Sequence, residues 1–74
     1  MTKEQNLTIQ SRLHVLRAEH RMTQEQLAEK VGVTRATIIA IEKGDYNPTL
    51  QLAFKLSRFF NKSLEEVFFI QEAL

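Results

Sequence analysis

Apolar positions recur along this chain in short bursts at helical spacing, with polar punctuation between them. The clearest burst lies in Gln24 to Lys43, where Leu27, Ala28, Val31, Val33, Ile38 and Ile41 would all point to one side. The pattern predicts two short helices, about Gln24 to Val31 and about Arg35 to Lys43, joined at Val31-Gly32-Val33. Gly32 suits the residue just past a helix end, and Thr34 stands where the second helix needs an N-cap. A tight turn of this kind crosses two helices steeply and leaves the outer face of the second bare. Arg35, Ala36, Ile39 and Ala40 are the positions on that face.

Three more helices follow from the same reading. Ile9, Leu13 and Leu16 predict a first helix from about Ile9 to Glu19, capped by Thr8 after a polar arm over residues 1–8. Its end, His20-Arg21-Met22, has no glycine, so a non-glycine residue there is expected to adopt positive φ at a cost of roughly 1 kcal/mol. Thr23 and Gln26 have the spacing of a capping box for the second helix. Gly44 stops the third, and Asp45-Tyr46-Asn47-Pro48 is turn-rich. Thr49 caps a fourth helix, about Leu50 to Phe60, whose Leu52, Ala53, Leu56, Phe59 and Phe60 make the largest apolar stripe. Asn61 can take a left-handed exit, and Ser63 with Glu66 forms a capping box for a fifth helix, about Leu64 to Phe68.

The expected fold is therefore all-α, a compact five-helix domain over residues 9–68, followed by an extension over residues 69–74. That extension fits a helix badly, because Gln71 falls where an apolar residue is due. Consecutive bulky apolar residues at a terminus favour burial, either folded back on the body or paired with another chain, as a strand. Phe54, Phe69 and Ile70 together would make an apolar patch suited to a homodimer seam.

Composition narrows the class. Seventy-four residues make one domain, near the lower size at which a single core suffices, so a partner subunit is expected. There is no cysteine, hence neither disulfide nor thiolate metal site. The apolar runs are too short to span a bilayer and MTKEQNLT lacks the apolar core of a signal peptide, so a cytoplasmic protein without membrane contact is expected. The net charge of +1 conceals an asymmetry: residues 7–62 hold nine Lys or Arg against five acids, while Glu65, Glu66 and Glu72 make the tail acidic. A mildly basic body permits nucleic-acid binding.

Candidate chemistry adds little. His14 and His20 are six apart and do not share a face as an i, i+4 metal pair would, and no nucleophile elbow or phosphate-cradling glycine loop is present. No enzyme activity, metal, cofactor or small-molecule ligand is expected.

Ser11 to Phe68 joins Leu16-Arg17, Thr23-Gln24, Leu27-Ala28, Val31-Gly32-Val33, Ile41-Glu42, Gly44, Asn47-Pro48 and Leu64-Glu65 in one order and spacing. This run resembles the helix-turn-helix domain of phage-repressor and Xre-type regulators. The resemblance implies a homodimeric, double-stranded DNA-binding transcriptional regulator, most simply a repressor. It implies base-edge contacts from Arg35, Ala36, Ile39 and Ala40, and phosphate contacts from Gln24, Thr34, Thr37, Lys43, Tyr46 and Asn47. It also implies an internal ion pair between Arg17 and Glu42. Lys55, Arg58 and Lys62 read as a solvated face of the fourth helix. The competing reading is a protein-interaction or antitoxin-like adaptor module that uses the Ile39 face or the Phe-rich tail.

Overall fold

The computed structural model describes residues 7–72, so the first six residues of the expected arm, and Ala73 and Leu74 of the extension, lie outside it. The order of elements is β1 (Leu7–Ser11), α1 (Leu13–Glu19), α2 (Gln24–Val31), α3 (Arg35–Lys43), α4 (Leu50–Phe59), α5 (Leu64–Val67) and β2 (Phe68–Glu72). Five helices are present as expected, but the fold is not all-α. A two-stranded antiparallel sheet joins the two ends of the chain, in register from Leu7 opposite Glu72 to Ser11 opposite Phe68.

The sheet corrects two expectations. Helix α1 begins at Leu13, not Ile9, and Thr8 lies in β1 and caps nothing. Ile9 sits four residues before Leu13, which fits a helix, but Thr8, Ile9 and Gln10 also alternate polar and apolar, which fits a strand. The antiparallel partner decides between the two periods: Ile9 pairs with Ile70, and Ile9 packs on the core from the strand. Helix α5 likewise stops one residue early, because Phe68 is extended (φ −122°, ψ 147°) and starts β2. The tail thus folds back on its own chain as a strand, one of the two outcomes left open above.

The core lies where the five helices meet. Leu13, Leu27, Ile38, Leu56 and Val67 are fully enclosed, and Leu16, Ile41, Phe60 and Phe68 nearly so. Each such side chain contributes roughly 1.5–3 kcal/mol relative to exposure. Ala28 is 2% exposed on α2, where a small side chain lets α3 approach closely, and α2 against α3 is the most extensive helix pairing. Backbone hydrogen bonding ties the terminal elements in, as the Arg12 N–H donates to the Val67 carbonyl at 2.8 Å. The Arg12 guanidinium lies 4.5 Å from the centre of the Phe69 ring, a cation–π contact that bridges the start of α1 to β2.

The caps form as the sequence requires. Thr23 with Gln26 and Ser63 with Glu66 make reciprocal capping boxes, while Thr34 and Thr49 accept from the third N–H of α3 and α4. Each cap satisfies one of the orphan donors at a helix start.

Candidate nucleic-acid interface

Helix α3 is held along one side and open along the other. Ile38 and Ile41 are its inner rail, 0% and 2% exposed, and Thr34 at its start accepts from the Thr37 N–H at 3.3 Å. Gly44 ends it in the left-handed conformation. With the inner rail fixed, helical rotation directs Ala36 and Lys43 straight outward, with Ile39 and Ala40 roughly 50° to either side of that ridge. Arg35, Ala36 and Lys43 are accordingly exposed, while Ile39, Ala40 and Thr37 are half-buried on the shoulders. The expected outer face is therefore present, but two of its four residues are partly shielded by their neighbours.

The two ends of α3 are anchored differently. At its C-terminal half, Glu42 gathers three donors: Arg17 Nε at 2.7 Å, Arg17 Nη2 at 3.1 Å and Gln24 Nε2 at 3.1 Å. Arg17 Nη1 also donates to the Met22 carbonyl at 2.9 Å. One guanidinium therefore fastens α1, the α1–α2 corner and α3 together, in the planar two-pronged geometry that suits arginine and carboxylate. The pair is mostly enclosed, with 18% and 10% of the two side chains exposed. The Gln24 amide is thus engaged by Glu42 at the start of α2, which the sequence did not disclose. Its second amide N–H and the free backbone N–H groups of that helix start remain as donors available to an anion.

Two grooves of opposite character border the N-terminal half of α3, one at Arg35 and one at Thr37. On the Arg35 side a broad groove of about 650 Å³ is lined by residues that include Glu25, Glu29, Thr34 and Arg35. On the Thr37 side a smaller groove of about 260 Å³ runs past Gly32, Thr37, Tyr46 and Lys55. Tyr46 is 41% exposed, and Asn47, next in the loop, is also exposed. Arg35 therefore shares a groove with residues of α2, Tyr46 shares one with Thr37, and Ala36, Lys43 and Asn47 are exposed on α3 and the loop that follows it.

The apolar residues expected at a dimer seam are divided. Phe54, Phe69 and Ile70 are 48%, 39% and 56% exposed. Ile70 and Phe69 border a hollow of about 420 Å³ with Ile9, Leu64 and Phe68. A second hollow of about 260 Å³ shares Ile9, Leu64 and Phe68 and extends to Pro48 and Leu50. Phe54 lines neither. Leu50, the first residue of α4 after its Thr49 cap, is 67% exposed, whereas Leu64, the first residue of α5 after its Ser63 cap, is half-buried and packs against the core; the sequence reading singled out neither for this apolar region.

Comparison with known proteins agrees with this geometry. Residues 13–67 match the helix-turn-helix family model. An uncharacterised HTH-type transcriptional regulator of Methanocaldococcus jannaschii is 50% identical over 64 residues, covering 86% of this chain and 97% of that protein. The cryptic phage CTXphi transcriptional repressor RstR of Vibrio cholerae is 35% identical over 57 residues, covering 77% of this chain and 51% of the repressor. Among solved structures, the restriction-modification controller protein C.AhdI of Aeromonas hydrophila superposes with a TM-score of 0.67 at 31% identity, covering 74% of this chain and 80% of that one. Five helices with an exposed α3, a helix-turn-helix match over most of the chain and relatives that are transcriptional regulators and repressors converge: the chain belongs to the helix-turn-helix family, as a DNA-binding transcription regulator of the Xre and phage-repressor type.

Proposed function

We propose that the protein is a sequence-specific repressor that binds double-stranded DNA as a homodimer, with α3 of each protomer in successive major grooves of a pseudo-palindromic site. The observation that carries this reading is the open side of α3: Arg35, Ala36 and Lys43 project from a helix whose opposite side is locked by Ile38, Ile41 and the Arg17–Glu42 pair. Arg35 reads guanine O6 and N7 or grips a phosphate, and Ala36, Ile39 and Ala40 present methyl groups to thymine. Such methyl contacts discriminate less than paired hydrogen bonds, so DNA shape and half-site spacing carry part of the choice. Thr34, Thr37, Lys43, Tyr46, Asn47 and the start of α2 at Gln24 face the sugar-phosphate backbone on either side.

Half-sites then lie roughly 34 Å apart, one duplex turn. The seam between protomers forms from Phe69 and Ile70 of the tail and the adjoining apolar hollows at Leu50 and Leu64, with Phe54 beside them. Residues 9–68 supply the DNA-binding body, and the tail from Phe69 supplies part of the seam. A cytoplasmic location fits this role, and none of the described helices is long and apolar enough to cross a membrane.

Selection of bound sequences from a random duplex pool, followed by titration of the selected and a scrambled duplex, tests the reading. Specific binding that is lost in Arg35→Ala while the dimer persists supports it. Equal weak binding to both duplexes overturns it. The exposed Leu50 and Ile70 favour a second reading, a module whose apolar side docks a different protein. An Ile70→Asp variant that stays dimeric, in a protein that binds the selected and scrambled duplexes equally weakly, would speak for that alternative.

A further inference from the structure

Lys55, Arg58 and Lys62 look alike in the sequence, but the structure sets Lys55 apart. Its ammonium is turned toward the helix-turn-helix corner, 3.4 Å from the Val31 carbonyl at the end of α2. It is also the nearest group to Gly32, 3.9 Å from where a Cβ on that glycine would stand. Lys55 thus lines the groove on the Thr37 side of α3, with Tyr46 across from it on the α3–α4 loop. The lining of that groove, among the described residues, includes no carboxylate, whereas the groove on the Arg35 side includes Glu25 and Glu29.

The bland account of Lys55 is a helix cap, a cation beside the last carbonyls of α2. That account uses little of the side chain. An ammonium has three donors, and the single contact to Val31 is long. Thr37 and Tyr46 line the same groove as Lys55, at the flank of the helix proposed to enter the major groove, and the Thr37 hydroxyl, 3.1 Å from that of Thr34, keeps capacity for a further partner. A duplex lying on the open side of α3 sends one phosphate backbone along each flank, and of the two grooves the one at Lys55 has no carboxylate in its lining among the described residues.

We propose that Lys55, with the Thr37 and Tyr46 hydroxyls, holds one backbone phosphate of the bound duplex. The proposal rests on the DNA-binding reading above and adds to it a cation that the helix-turn-helix sequence pattern does not single out. A phosphate contact positions the protein without reading sequence, so it acts alike on every duplex.

The test is a salt titration of wild type, Lys55→Met, Lys55→Gln and Lys55→Arg against a duplex selected from a random pool and its scrambled counterpart, with thermal melting of each variant. In the proposed homodimer each protomer loses one phosphate contact, so the dependence of log K on log salt flattens by about 1.8, twice the roughly 0.9 of a single phosphate. The affinity deficit of Lys55→Met and Lys55→Gln should therefore shrink about 12-fold between roughly 50 and 200 mM salt, equally for both duplexes, and Lys55→Arg should keep the wild-type slope. Unchanged slopes in the Met and Gln variants, with only a lower melting temperature, would make Lys55 a cap of α2 and overturn the proposal while leaving the regulator reading intact. A wild type that does not distinguish the selected duplex from the scrambled one overturns the regulator reading instead, and this inference with it.

Discussion

Helices α2 and α3 end on glycine, whereas α1 and α4 end on ordinary side chains, yet all four ends are built alike. In each, the N–H of the residue after a left-handed position donates five residues back: Met22 to Arg17 at 2.9 Å, Val33 to Ala28 at 3.0 Å, Asp45 to Ala40 at 2.9 Å and Lys62 to Ser57 at 2.9 Å. The left-handed residues are Arg21 (φ 54°), Gly32 (φ 78°), Gly44 (φ 80°) and Asn61 (φ 57°). This is the six-to-one bond of the Schellman motif, which satisfies carbonyls that a helix end leaves orphaned. The motif, not the residue, sets the geometry. What differs is how much strain each corner can hold and how much room surrounds it.

The two glycines bound α3, the helix with the open face, and they are not equivalent. A Cβ on Gly32 would meet only the Lys55 ammonium at 3.9 Å, whereas a Cβ on Gly44 would stand 3.0 Å from the Gln10 side-chain amide on β1. Gly32 therefore needs glycine for its backbone angle alone, whereas a Cβ on Gly44 would in addition make the end of the Gln10 side chain give way by a few tenths of an ångström. The Arg21 corner tolerates strain because Arg17 clasps it, donating to the Met22 carbonyl while holding Glu42.

That comparison breaks most severely at the clasp. Arg17→Ala leaves Glu42 enclosed without its cation and frees the strained corner, and it should lower unfolding stability by about 3 kcal/mol in urea titration. A loss below about 1 kcal/mol, the range of exposed pairs, would mean that the corner does not depend on Arg17. The glycines come next. Gly44→Ala should cost about 2 kcal/mol and Gly32→Ala about 1 kcal/mol, since both pay the left-handed penalty but only the former displaces Gln10. Pairing Gly44→Ala with Gln10→Ala should bring its cost down toward that of Gly32→Ala; equal costs for the two single variants would remove the distinction between the corners.

Smaller effects sharpen the picture. Arg21→Gly relieves roughly 1 kcal/mol of strain but loosens the unfolded chain by somewhat less, so a net gain of about 0.5 kcal/mol is expected. Asn61→Gly should be close to neutral, because asparagine already tolerates the left-handed region. A larger gain at Asn61 than at Arg21, seen in thermal melts, would reverse this ordering. The smallest effect lies past the Asn61 corner, where hydrogen bonds from the Ser63 backbone N–H and its hydroxyl hold the Glu66 carboxyl below its ordinary pKa. Because the folded value is depressed, this contribution is complete above the unfolded glutamate pKa of about 4.3 and fades as pH falls through the lower folded value. An NMR titration should show Glu66 with a midpoint below the unfolded glutamate value of about 4.3, and Ser63→Ala should move it upward; a Glu66 midpoint at the unfolded value would sink the assignment.

How much of this was legible in the sequence depended on how far apart the determining residues lie. The caps at Thr23, Thr34, Thr49 and Ser63 and the left-handed exits were readable because each is decided within about six residues. The open face of α3 was readable too, because Ile38 and Ile41 fix its rotation. The sheet was not: Ile9 fits a helix and a strand equally, and its partner Ile70 lies at the other end of the chain. Within the candidate interface, the hold of Glu42 on the Gln24 amide and the turning of Lys55 toward Val31 were hidden for the same reason, since each joins two helices through long side chains with many rotamers.

The sequence alone determined five helical segments, their boundaries to within a residue or two apart from the start of α1, and which side of α3 is open, though not that Ile39 and Ala40 are half-buried there, because helix formation is a local matter of period and capping. Only the tertiary structure decided that the two ends of the chain pair as strands and that Phe68 closes the core while Ile70 stays half-open. It alone separated Lys55 from its neighbours on α4. Strand pairing and long-side-chain contacts are energies between distant residues, and no local pattern encodes which partner will be close enough to claim them.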